Sequence, residues 1–116
     1  MIFIKTSFCQ ILFVYLSKGV DITNLKEFMD KNFDMNKNIA IMGDFNQDGN
    51  DENCRLIEFM KQTGFTQLIQ DPTHEEGGLL DHIYVNQLLY EENVVVRTDP
   101  VYYSDHDIVT LLIPKK

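Results

Sequence analysis

The apolar positions of this chain fall into short runs separated by polar turns. Ile2–Ile4 and Gln10–Tyr15 read as two buried strands joined by a polar turn at Lys5–Ser7. Ile11-Leu12-Phe13-Val14-Tyr15 is unbroken and rich in β-branched and aromatic residues, which predicts a strand covered on both faces. Ser17-Lys18-Gly19 ends it, and Asp21 or Thr23 is placed to cap a helix. Leu25, Phe28, Met29 and Phe33 then recur at helical spacing. Ile39–Met42 reads as a central strand stopped by Gly43, and Gln47–Asn53 as a loop. A second helix is predicted from about Glu52 to Thr63, with Leu56, Ile57, Phe59 and Met60 on its apolar face and Gly64 just past its end. Short strands follow at Phe65–Ile69, Leu79–Val85, Val94–Arg97 and Ile108–Ile113. Helices alternate with strands early and strands dominate later, which predicts an α/β fold: a mixed sheet with two main helices. No repeat or linker divides the chain, so residues 1–116 read as one domain.

Composition narrows the picture. Of 116 residues, 44% are hydrophobic, as in a globular domain. The formal net charge is -8, from 18 acids against 10 bases, with no basic run to track a nucleic-acid backbone. Carboxylates gathered around a divalent cation would account for part of this acidity. Cys9 and Cys54 form no metal-ligand spacing, and free thiols suit an intracellular protein, nuclear compartment included, that is not secreted. Met1–Leu16 lacks the basic start and the small-residue cleavage site of a signal peptide, and Lys5 and Gln10 interrupt it. It is also too short to span a bilayer, so no membrane partner is expected.

Three short strings carry chemistry: Gly43-Asp44-Phe45-Asn46, Leu80-Asp81-His82-Ile83 and Ser104-Asp105-His106. Each sets an acid beside an amide or imidazole at the end of an apolar run. Asp44 and Asn46 are two apart, so strand geometry would send both side chains to one face, where they could orient a water and a phosphate oxygen. The competing reading of this pair is an Asx turn. His106 can stabilise developing negative charge, and a carboxylate behind its ring would fix the tautomer and favour the cation. His82 would point away from Asp81 and reads as structural or surface, and His74 as solvated. Tyr15 reads first as a core residue. Asp44-Phe45-Asn46-Gln47-Asp48-Gly49 imitates the start of an EF-hand loop, but the twelfth position is Arg55 where a bidentate Glu is needed, and the eighth is Asp51.

Taken in this order, the three strings resemble the active-site motifs of the endonuclease/exonuclease/phosphatase superfamily, metal-dependent phosphodiesterases related to pancreatic deoxyribonuclease. Ile41–Asn46, Gly64-Phe65-Thr66-Gln67-Leu68 and Asp71-Pro72-Thr73 are similar in wording to endonuclease domains of mobile genetic elements. The resemblance runs from about Ile11 to Ile113. It implies a four-layered α/β sandwich of which this chain is the C-terminal portion, supplying most of one sheet and part of the other. It implies that Asp44 positions or deprotonates the attacking water, that Asn46 binds phosphate, that His106 contacts the scissile phosphate and that Asp81 orients His106 through a hydrogen bond. It places Asp105 near a Mg²⁺ ion, with Mn²⁺ as a substitute. It makes Tyr15 a weaker phosphate contact, because Leu16-Ser17-Lys18 departs from the family's wording there.

The family's N-terminal half carries a further Asn and the principal metal-binding Glu, and neither has a counterpart before the Tyr15 strand. The expectation is therefore a single partial domain with an uncovered apolar sheet face. Two readings follow: a DNA endonuclease, or a truncated remnant or split half without a complete metal site. Expected partners are nucleic acid, DNA first, and a missing N-terminal half or a second copy through the exposed face.

Overall fold

The computed structural model describes residues 1–16, 22–46, 55–69, 78–100 and 106–114. Seven strands and three helices succeed one another along these residues. They are β1 (Ile2–Lys5), β2 (Cys9–Tyr15), α1 (Thr23–Asn32), β3 (Asn38–Asp44), α2 (Arg55–Gln62), β4 (Phe65–Gln67), β5 (Asp81–Asn86), α3 (Gln87–Tyr90), β6 (Val95–Asp99) and β7 (Ile108–Leu112).

Five strands make one mixed sheet in the order β1-β2-β3-β5-β4. Only β2 and β3 run parallel. A parallel pair needs a crossover, and α1 supplies it. Strands β6 and β7 form a separate antiparallel sheet. The period-2 alternation of side chains sorts the core into two layers. On one face Leu12, Val14, Ile39, Ile41 and Tyr84 pack against Leu25 and Met29 of α1 and Leu56 and Met60 of α2. On the other, Ala40, Ile83 and Val85 meet Leu89 of α3 and, from the small sheet and its flanks, Val96, Val109, Leu111 and Ile113. Helices, large sheet and small sheet are thus stacked as layers, and the sandwich architecture expected from the sequence is present in the described residues. None of their helices is long and apolar enough to cross a membrane.

Several local expectations change. Strand β2 is not covered on both faces: Phe13 is 39% and Tyr15 71% exposed, because the small sheet reaches only the other end of that face. Ile2 and Ile4 of edge strand β1 extend the same uncovered strip. Helix α1 is entered through Ile22 without a side-chain cap, and Asp21 lies outside the described residues. Strand β4 ends at Gln67, whose amide folds back onto both backbone groups of Ile69. Strand β5 begins at Asp81, two residues later than the apolar run suggests. Helix α3 was not foreseen, since a single turn carries no periodicity. It is started by Asn86, whose buried Oδ1 accepts from the Leu89 N–H.

Candidate active site

The ends of three neighbouring strands build the site. Tyr15 is the register partner of Asp44, and Asp44 of Asp81. These three residues form one row across β2, β3 and β5 and share a face, the one turned toward the small sheet. His106, two residues before β7, approaches from that side. Its Nδ1 donates to Asp81 Oδ2 at 2.8 Å. The hydrogen bond expected between these two residues is therefore present. A carboxylate oxygen can only accept here, so Nδ1 carries the hydrogen and Nε2 is directed to the opposite side of the ring. Nε2 lies 3.7 Å from Asp44 Oδ2. One ligand atom from each of Asp44, Asp81 and His106 falls within 4.8 Å of the others, and all three residues are half-buried.

Gly43 explains why this end of β3 is shaped as it is. It has φ +148°, and a Cβ on it would sit 1.8 Å from the Val14 carbonyl oxygen. Only glycine lets β2 and β3 approach so closely immediately before Asp44. Beyond Asp44 the strand stops. Asn46 takes φ +50°, its backbone N–H donates to Asp44 Oδ1 at 3.0 Å, and its side-chain amide donates to the Leu16 carbonyl. The expectation that Asp44 and Asn46 present their side chains along one extended strand is thus corrected. The Asx turn is formed, because Asn tolerates the left-handed conformation and Asp44 can accept locally. Asp44 nevertheless faces His106 with its other oxygen.

Tyr15 is corrected as well. It is not a core residue: it is mostly exposed, beside Asp44 in register. His82 is fully buried, stacked on Phe45 with ring centroids 5.2 Å apart. Its place behind the acids was not read from the sequence, although a ring follows each acid directly, Phe45 after Asp44 and His82 after Asp81. Asp105, His74, Cys54 and the EF-hand-like Asp48-Gly49 and Asp51 lie outside the described residues. Away from the site, burial pushes the Cys9 thiol up to about 11, opposed by its hydrogen bond with the Ala40 backbone.

Two layered sheets with an acid–imidazole–acid cluster where they meet define an α/β protein whose site joins both sheets. The chain belongs to the Endonuclease/Exonuclease/phosphatase family, which it matches over residues 12–106, from β2 to His106. No curated protein matches it. Among solved structures, it is similar to the endonuclease domain of TRAS1, a telomere-specific non-LTR retrotransposon. The identity is 18% and the TM-score 0.74, over 96% of this chain and 59% of that one. It is also similar to the Haemophilus ducreyi cytolethal distending toxin, with 16% identity and a TM-score of 0.69, over 97% of this chain and 52% of that one. At these identities the likeness is one of fold. The chain spans little more than half of either structure.

Proposed function

We propose that this chain is a metal-dependent phosphodiester hydrolase acting on nucleic acid, with DNA as the first substrate to test. The observation that carries the reading is the meeting of Asp44, Asp81 and His106 inside a family match that spans most of the chain. Asp81 accepts from Nδ1–H and holds the ring in place, and in the imidazolium form Nε2–H donates to a phosphate oxygen. Asp44 takes up or orients the proton of the attacking water. Asn46 keeps one amide hydrogen on Leu16, and its second hydrogen is assigned to the phosphate. Exposed Tyr15, in the same row, is a further phosphate contact.

The donor set fits a hard divalent cation. Mg²⁺ is ordinarily held by one or two carboxylates and keeps several waters, and Asp44 and Asp81 are such carboxylates. Asp105 is assigned as a further carboxylate for the ion, and Mn²⁺ accepts the same oxygen ligands. When bound, such an ion neutralises charge building on the transferred phosphoryl group.

Supercoiled-plasmid nicking by the purified chain, with Mg²⁺ and with chelator, tests the proposal. Nicking should require the ion, and His106→Ala and Asp44→Asn should each lower it by about 10³-fold or more. Nicking retained in both folded variants would sink the assignment, and an RNA arm decides the sugar.

A second reading is a non-catalytic remnant, or one half completed by another segment or by a second copy of the chain. The uncovered apolar strip Ile2, Ile4 and Phe13 favours it. A folded chain that shows no Mg²⁺-dependent nicking above the His106→Ala background would select this reading.

A further inference from the structure

The two acids share a support on the far side of the sheet. Asp44 and Asp81 are register partners facing His106, so their C-terminal neighbours Phe45 and His82 turn to the opposite face. There Phe45, His82 and Tyr84 form one buried cluster, each no more than 1% exposed. Phe45 stacks on His82 with an interplanar angle of 23° and meets Tyr84 edge-on at 5.5 Å.

Hydrogen bonds tie this cluster to the backbone that carries the acids. The carbonyl of Leu79 can only accept, so His82 Nε2–H donates to it at 2.9 Å, and His82 Nδ1 accepts from the Tyr84 hydroxyl at 2.8 Å. The Phe45 N–H donates to the Leu80 carbonyl at 3.0 Å. Leu79 and Leu80 are the two residues that lead into Asp81.

From this we infer that His82 is a positioning residue for the site assigned above: through Leu79 and Phe45 it sets where the carboxylates of Asp81 and Asp44 stand relative to His106. The inference rests on the proposed catalytic reading for its consequence in rate, but not for its geometry. Groups behind a site that orient its acids and imidazoles commonly matter about 10- to 100-fold. Their loss should fall on turnover rather than on substrate binding, because near-attack geometry is lost while the contacting residues remain.

The test uses the full chain with His82→Leu, His82→Gln and Tyr84→Phe. In Mg²⁺-dependent nicking, His82→Leu should lower kcat by about 10- to 100-fold with KM within about twofold. His82→Gln keeps an amide donor for Leu79 and should recover most of that loss. A folded His82→Leu variant with wild-type kcat, or a Gln variant no better than Leu, overturns the inference. Should His82→Leu not fold, Tyr84→Phe takes its place: it keeps every ring, removes one hydroxyl, and should lower kcat by about 3- to 10-fold, with an unchanged kcat overturning the inference.

The second readout needs no activity. Long-range ¹H–¹⁵N spectra of the His106 ring in mildly alkaline buffer, assigned with His106→Ala, report whether Nδ1 carries the hydrogen. That signature should be lost or mixed in His82→Leu and intact in the wild type. If the wild type does not nick DNA, a tautomer change in His82→Leu still upholds the positioning role and sinks the catalytic reading alone. An unchanged His106 signature in folded His82→Leu sinks the positioning role alone.

Discussion

Gly43 and Gly64 both have positive φ, yet their replacement should have different consequences. At Gly43 an added methyl would overlap the Val14 carbonyl, so Gly43→Ala must part β2 from β3 beside Tyr15 and Asp44. A loss of about 4 kcal/mol or more, or failure to fold, is expected from urea unfolding. At Gly64 nothing lies within 4 Å of the added carbon, so Gly64→Ala meets only the left-handed backbone and should cost about 1–2 kcal/mol. Equal costs would refute the role given to the close approach at Gly43. Cys9 yields a pH-dependent expectation. Its thiol is pushed up to about 11 from 9.0, chiefly by burial, so the folded protein holds that proton more tightly than the unfolded chain does. The associated stability is complete below pH 9 and is lost as the pH rises through about 11. It amounts to about 3 kcal/mol at most. Urea midpoints of wild type and Cys9→Ala followed from neutral to alkaline pH should separate over that window, because the variant has no thiol to ionise. Parallel curves would refute it. The meeting of Asp81 and His106 was legible in the sequence because the motif order carried it. The turn at Asn46 was not, since the same Asp-x-Asn spacing serves an extended strand and an Asx turn equally well.

Asn86 joins three elements with one amide. Its Oδ1 accepts from the N–H groups of Ile39 and Leu89, and its Nδ2 donates to the Lys37 carbonyl at 2.7 Å. It therefore ends β5, starts α3 and fastens the beginning of β3. Asn86→Ala would leave the buried Ile39 N–H without this partner, and the loss should be about 3 kcal/mol. Asn86→Asp keeps the acceptor while losing the donor to Lys37, so it should fall between wild type and alanine in the urea midpoint. An aspartate as stable as asparagine would show that the Lys37 bond contributes nothing. Elements with strong runs were legible in advance: β1, β2, β3 and the apolar faces of α1 and α2 follow directly from spacing. Helix α3 was not, because four residues cannot display a helical period and its stability comes from Asn86 and from burial of Leu89. The exposure of Phe13 and Tyr15 was hidden for a related reason. An apolar run states that a strand is present, but the number of layers covering it is decided by residues far away in the chain.

The site exists only while the small sheet stays docked on the large one. His106 leads into β7, whereas Asp44 and Asp81 belong to β3 and β5. The docking surface is apolar and partly buried, and Val96 and Leu111 are cross-strand register partners within it. Replacing both with Ser removes apolar contact worth about 2–4 kcal/mol at this interface. The five-stranded sheet has its own core with α1 and α2 on the opposite face, so it should survive the change. The expected outcome of Val96→Ser/Leu111→Ser is therefore local. Amide exchange should rise across β6 and β7, protection should persist in β2 and β3, and the His106 Nδ1–H signature should be lost. Under the endonuclease reading, nicking should then fall toward the His106→Ala level although none of the three cluster residues has been altered. Loss of protection in both sheets together would mean that the layers fold as one cooperative unit. Full activity with an exchanging hairpin would mean that His106 reaches the acids without the small sheet, and would refute the two-sheet account of the site.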